Sequence, residues 1–125
     1  MPYSVEYDEK TNCIYVSVDG ELNLSLFDSM AAEVARCLSE CGCRRILNDL
    51  RKARLTKSVA DVYSMPERAM KVGITRAVKR ALVISGAISK FHFLETVFIN
   101  QGNIVRLFNS IEEARLWLFD GDADS

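Results

Sequence analysis

The chain has 125 residues, one domain's worth, of which 49% are apolar and 26% charged, with only 2 prolines and 6 glycines. That mixture excludes disorder, collagen-like repeats and low-complexity sequence, because so apolar a chain can bury enough surface to offset its ordering entropy. A formal charge of -1 argues against a general nucleic-acid binder, whose footprint is a basic excess.

Two strands open the chain. Tyr3 to Tyr7 alternates apolar and polar residues, and Cys13 to Val18 is β-branched and aromatic up to the stop at Asp19-Gly20. The polar turn Asp8 to Asn12 joins them into a hairpin. A helix is predicted from Ser25 to Cys41, where Phe27, Met30, Ala31, Val34, Leu38 and Cys41 recur at helical spacing. Ser25 with Asp28 forms its capping box and Gly42 its stop. Arg45 to Leu50 reads as a buried strand, covered on both faces as in a parallel sheet. Ser58 and Ser64 both resemble helix starts, which predicts a helix broken or restarted near Ser64 and ending at Gly73. Ala81 to Ile84 is the next buried strand, followed by a helix from Ser89 to Gln101 with Phe91, Leu94, Val97 and Phe98 inward. Ile104 to Phe108 is the last strand. Asn109 and Glu112 cap a final helix whose core face is Ile111, Ala114, Leu116 or Trp117, and Leu118. The order β-β-α-β-α-β-α-β-α predicts a single α/β domain over residues 1–119. Its sheet has four to five mainly parallel strands, an N-terminal antiparallel hairpin and about four helices. Residues 120–125 form an acidic tail, expected to fray.

The N-terminus lacks a basic n-region and an apolar core, so it does not read as a signal peptide, and no apolar run approaches the roughly 20 residues of a membrane span. A soluble, cytoplasmic protein without membrane insertion is expected. Cys13, Cys37, Cys41 and Cys43 then read as reduced structural thiols, and their spacing is not that of a zinc site.

Charge is unevenly spread. From Arg44 to Arg80 there are eleven basic residues against three acidic ones, a balance of +8, while the remainder carries -9. The densest part, Arg51 to Lys57, follows a buried strand and reads as a basic loop at the carboxyl ends of the strands, where open α/β sheets bind ligands. Arg51, Lys52, Arg54 and Lys57 are therefore candidate binding residues. So are Ser85 and Ser89, in a small-residue turn leading into a helix N-terminus. Two readings stand: a solvated basic loop that balances the acidic helices, or a docking surface for an anionic group or an acidic protein surface, including the acidic face of a second copy.

Catalytic motifs are missing. The chain has no phosphate loop, dinucleotide fingerprint or nucleophile elbow. His92 is a lone histidine. Asp49 ends a strand as the phosphorylated aspartate of a response-regulator receiver does, but the second acid and the lysine of such a site are missing. No catalytic residue, metal ligand or cofactor is expected.

The element order, the hairpin and the strand Arg45 to Leu50 with its Asp49-Leu50-Arg51 end carry a resemblance. Met65-Pro66-Glu67, Phe93 to Val97, Val105 to Phe108, Glu112 to Ala114 and Trp117-Leu118 add to it. Over about Tyr3 to Phe119 the chain resembles the STAS superfamily, most closely its SpoIIAA-like bacterial members. The resemblance implies a non-enzymatic regulatory or protein-interaction module, similar to the anti-sigma-factor antagonists and able to form a homodimer. In that branch a serine at the start of the second helix is phosphorylated, and Ser58 is the positional match. Lys57 and Ala60 replace the aspartate and glycine of that motif, so Ser58 is equally a plain helix cap. The alternative is a sensor of a small anionic or lipid-like ligand.

Overall fold

The structure, a computed structural model, describes residues 2–86 and 88–120, without the side chains of residues 88 and 89. Five strands and four helices follow in the expected order: β1 (Tyr3–Asp8), β2 (Cys13–Leu22), α1 (Leu24–Cys41), β3 (Arg45–Leu55), α2 (Val59–Val72), β4 (Lys79–Val83), α3 (Ile88–Asn100), β5 (Ile104–Phe108) and α4 (Ile111–Phe119). The strands lie side by side in sequence order in one sheet. β1 runs antiparallel to β2 and every other pair is parallel. The opening hairpin turns where the Asp8 carboxylate accepts from the Lys10 N–H (3.1 Å) and the Thr11 hydroxyl (2.9 Å).

Alternation along the strands splits the core in two. Ile14, Val16 and Val18 of β2, Ile46 and Leu50 of β3, and Leu82 of β4 face α1, α2 and α3. Cys13, Leu47, Ala81 and Val83 point the other way, against Ala114 and Leu118 of α4. Three helices therefore cover one face, and α4 packs over β3, β4 and β5 on the other. Among the described residues two polar side chains, Arg80 and Asn103, are buried: Arg80 donates to the Val78 carbonyl (3.3 Å) and to Asn103 Oδ1.

Several expected boundaries move, each for a local reason. The N-cap of α1 is Asn23, whose side chain accepts from the Leu26 N–H at 2.9 Å, and not Ser25. The N-cap of α4 is Ser110, accepting from the Glu113 N–H at 3.3 Å, and not Asn109. Within α4, Trp117 packs on the core while Leu116 is 76% exposed.

The break expected near Ser64 does not occur. α2 is continuous, and Ser64 is an interior helical residue whose hydroxyl donates to the Asp61 carbonyl (2.8 Å). Pro66 lies within the helix, which forgoes one backbone bond there, and its ring is buried beside Val62, Met65 and Ala69. At Gly73 the backbone turns left-handed with φ of 116°, which ends the helix as expected.

The largest correction concerns Arg51 to Lys57. Arg51 to Leu55 are not a loop but the continuation of β3. β2 likewise runs through Asp19-Gly20 to Leu22, pairing Asp19 with Lys52 and Leu22 with Leu55. Between Ser17 and Asp19 the register shifts, β3 advancing three residues while β2 advances two. Each strand supplies the other's backbone partners past the point where the sequence turns polar. β4 stops at Val83, opposite Asp49, so β2 and β3 project beyond the rest of the sheet as a two-stranded ribbon.

Candidate functional site

The projecting ribbon makes one wall of an open groove at the carboxyl ends of the strands. The groove encloses about 520 Å³, and Arg54, Lys57, Ser58, Ser85, Lys90 and Phe91 converge on it. β3 contributes Arg54, the short link into α2 contributes Lys57 and Ser58, the turn after β4 contributes Ser85, and the first turns of α3 contribute Lys90 and Phe91. Four of the residues singled out in the sequence thus meet in one place.

Ser58 is the N-cap of α2. Its hydroxyl oxygen accepts from the Asp61 N–H (3.2 Å), and its own N–H donates to Thr56 Oγ1 (3.3 Å). Ser85 donates its hydroxyl to the Arg51 carbonyl (3.1 Å), tying the turn after β4 to the ribbon. Glu21, which also lines the groove, lies opposite Arg54 across the β2–β3 pair.

Arg51 and Lys52 do not line the groove. Arg51 is committed to Asp49 in a two-pronged ion pair, Nε to Oδ1 at 2.9 Å and Nη2 to Oδ2 at 2.8 Å. The hydrogen bonds from Arg51 hold the Asp49 carboxyl below the usual aspartate range. The side chain of Ser89, in the first turn of α3, is outside the described residues. Lys90 was not singled out from sequence, because it belongs to the acidic part of the chain and becomes part of the basic site only when α3 packs beside α2. The adjoining small-residue turn was its only sequence signal.

Beside the groove the surface becomes apolar. Val59 and Tyr63 of α2 are 58% and 56% exposed, and the Tyr63 ring stands edge-on to Phe93 of α3 at 5.5 Å. A second depression, lined in part by Lys57, Val59, Lys90 and Phe93, continues the groove onto this patch. Cations thus border a small aromatic and aliphatic surface.

His92 lies elsewhere, in a shallow depression with Glu95, Arg106 and Asn109. Its Nδ1 is 3.2 Å from Glu95 Oε1, and Glu95 Oε2 accepts from the Leu107 N–H at 2.8 Å, so the carboxylate joins α3 to β5. All four cysteines are free thiols, Cys13 and Cys43 buried. Burial raises the pKa of the Cys37 and Cys43 thiols and pushes that of Cys13 up to about 12, keeping them protonated at neutral pH. Among the described residues no three His, Cys, Asp or Glu side chains form a metal-ligating group. No helix among them is long and apolar enough to cross a membrane.

A five-stranded sheet with one antiparallel edge, three helices on one face and one on the other defines an α/β domain with a SpoIIAA-like fold. Solved structures share that architecture at low sequence identity. A protein of the DUF3478 family from Shewanella loihica PV-4, described as having a SpoIIAA-like fold, matches with a TM-score of 0.62 and 14% identity over 93% of both chains. An anti-sigma factor antagonist from Mycobacterium paratuberculosis matches with a TM-score of 0.63 and 13% identity, over 94% of this chain and 95% of that one. The anti-sigma factor antagonist SpoIIAA in its unphosphorylated form matches with a TM-score of 0.54 and 14% identity, over 89% and 91%. No protein-family profile and no curated protein matches the sequence.

Proposed function

We propose that this chain is a non-enzymatic regulatory module of the anti-sigma-factor-antagonist kind, which binds an acidic protein surface through the groove between β3, α2 and α3. The observation that carries this reading is the convergence of Arg54, Lys57 and Lys90 around the N-terminus of α2, beside the exposed Val59 and Tyr63 and the half-buried Phe93. An apolar centre with a charged rim suits a protein interface, where aromatic anchors supply affinity and rim charges supply steering. The acidic flank of a second copy has the complementary charge, so homodimerisation uses the same chemistry. Residues 1–119 constitute the module, and residues 120–125 are an acidic appendage.

Ser58 is the proposed point of control. A phosphate there would lie at a helix N-terminus with Arg54 and Lys57 lining the same groove, which favours the dianion electrostatically and reverses the charge presented to a partner. The test is co-purification from the native cells with the intact chain and with Arg54→Glu/Lys57→Glu, both checked for an unchanged circular dichroism spectrum. Loss of the partner from the charge-reversed chain supports the reading, and equal recovery overturns it. The sensor of a small anionic ligand is the competing reading. It requires the isolated protein to melt at a higher temperature with nucleotides, phosphate or fatty acids.

A further inference from the structure

We infer that the groove receives its partner as an extended acidic segment that adds a strand to the open edge of β3. This rests on the proposed function above and specifies the form in which the partner binds. β3 pairs with β4 only from Arg45 to Asp49, whereas it pairs with β2 as far as Leu55. Beyond Asp49 the side of β3 that faced β4 is an edge.

The direction of its backbone groups follows from the ladder. The Thr56 N–H donates to the Leu22 carbonyl at 3.0 Å, so Thr56 points toward β2, as does Arg54 two residues earlier. Ala53 and Leu55 consequently turn their N–H and C=O groups the other way. One carbonyl on that open side, at Arg51, is taken by the Ser85 hydroxyl. Among the described residues nothing pairs with the Ala53 and Leu55 groups on that side, although both residues line the groove. An unpaired strand edge is a template for another strand.

Charge selects which strand. Arg54, Lys57 and Lys90 outnumber the single carboxylate of Glu21 around the edge, and Lys52 stands at the bulge where it begins, Arg51 there being neutralised by Asp49. These cations repel a second basic ribbon and attract alternate carboxylates on an incoming segment. Main-chain pairing would hold the segment, and the cations would choose it.

The probe is a capped seven-residue peptide of alternating glutamate and valine, fluorescently labelled and titrated into the full chain at low ionic strength. Its counterpart is N-methylated at alternate residues, in two registers, which removes backbone donors and keeps every charge. The expected result is saturable binding of the parent and at least tenfold weaker binding of one N-methylated register. Binding of the parent should also slow hydrogen exchange at the Ala53 and Leu55 amides. Ala53→Pro removes a donor on the open side without touching the ladder to β2, and should weaken the parent peptide by a similar factor. Equal binding of the parent and both N-methylated peptides overturns strand addition and leaves the basic docking surface standing. No binding of any peptide, with co-purification still abolished by charge reversal at Arg54 and Lys57, also overturns strand addition alone. Co-purification that survives charge reversal overturns the proposed function instead.

Discussion

Arg80 is 6% exposed, and among the described residues it has no acidic partner within ion-pair distance. Burial pushes its pKa down from the ordinary arginine range to about 10. Because the depressed value belongs to the folded state, the cost of burying this charge is present in full below pH 10. It is relieved only as pH rises above that value toward the ordinary arginine range. The separation corresponds to about 3 kcal/mol. What makes the charge tolerable is its acceptors, the Val78 carbonyl and Asn103 Oδ1, with the Phe98 ring 5.4 Å away. A cycle of four proteins separates these effects: the parent, Arg80→Met, Asn103→Leu and the double variant. Asn103→Leu takes an acceptor from a buried cation and also removes the Asn103 bond to the Phe98 carbonyl (3.1 Å), so it should cost about 3 kcal/mol. Arg80→Met removes the charge with its desolvation and should be neutral or stabilising by up to about 3 kcal/mol. The double variant keeps only the loss of the Phe98 bond, about 1 kcal/mol relative to Arg80→Met. Urea unfolding at pH 7 should therefore show a coupling between the two sites of about 1.5–3 kcal/mol with unchanged m-values. A coupling below about 0.5 kcal/mol, or an Arg80→Met variant as unstable as Asn103→Leu, would refute the account of Arg80 as a tolerated charge.

Ser58→Ala removes the cap of α2 and should cost about 1 kcal/mol in urea unfolding, whereas Ser58→Asp, which keeps an acceptor, should stay within about 0.5 kcal/mol of the parent. Leu118 is 1% exposed and anchors α4, the helix that packs over β3 to β5. Leu118→Ala should cost about 2–5 kcal/mol, measured by the urea midpoint. The Asp49 carboxyl is depressed by Arg51, so its contribution to stability is present above the ordinary aspartate pKa and is lost as pH falls through the lower folded value. In Arg51→Ala the Asp49 titration, followed by carbon NMR, should move up toward about 4.

The strand and helix order was legible because each element carries its own period. Phe27 to Leu38 repeat at helical spacing and Tyr3 to Tyr7 alternate, and neither signal needs tertiary context. The caps were less legible. Ser25 and Asn109 have the right chemistry, but Asn23 and Ser110 lie where the backbone is extended and the third N–H within reach. Pro66 shows a packing effect: a continuous helix survives because its neighbours and its own ring are buried, information that lies in α1 and the sheet rather than in α2. The basic stretch was legible as charge and position but not as conformation, since Arg51 to Arg54 contains no alternating apolar pattern. It is a strand because Asp19 to Leu22 pair with it. Lys90 belonged to the site through helix packing alone.

The groove owes its existence to a mismatch in strand length rather than to any one residue. β2 and β3 have 10 and 11 residues while β4 and β5 have 5 each, so the sheet is stepped at its carboxyl end. In an evenly ended sheet Arg54 would lie on a covered strand or a free loop. Here the step brings the basic ribbon alongside the starts of α2 and α3, within one groove. The register shift at Asp19 marks where the ribbon leaves the common ladder, and the Ser85 bond to the Arg51 carbonyl closes the step at its base. Trimming the ribbon while keeping every cation would therefore disperse the site. Conversely, neutral side chains on an intact ribbon would preserve the edge but lose its preference for acidic segments. Backbone geometry and charge are separable contributions here, and the peptide and charge-reversal measurements address them independently.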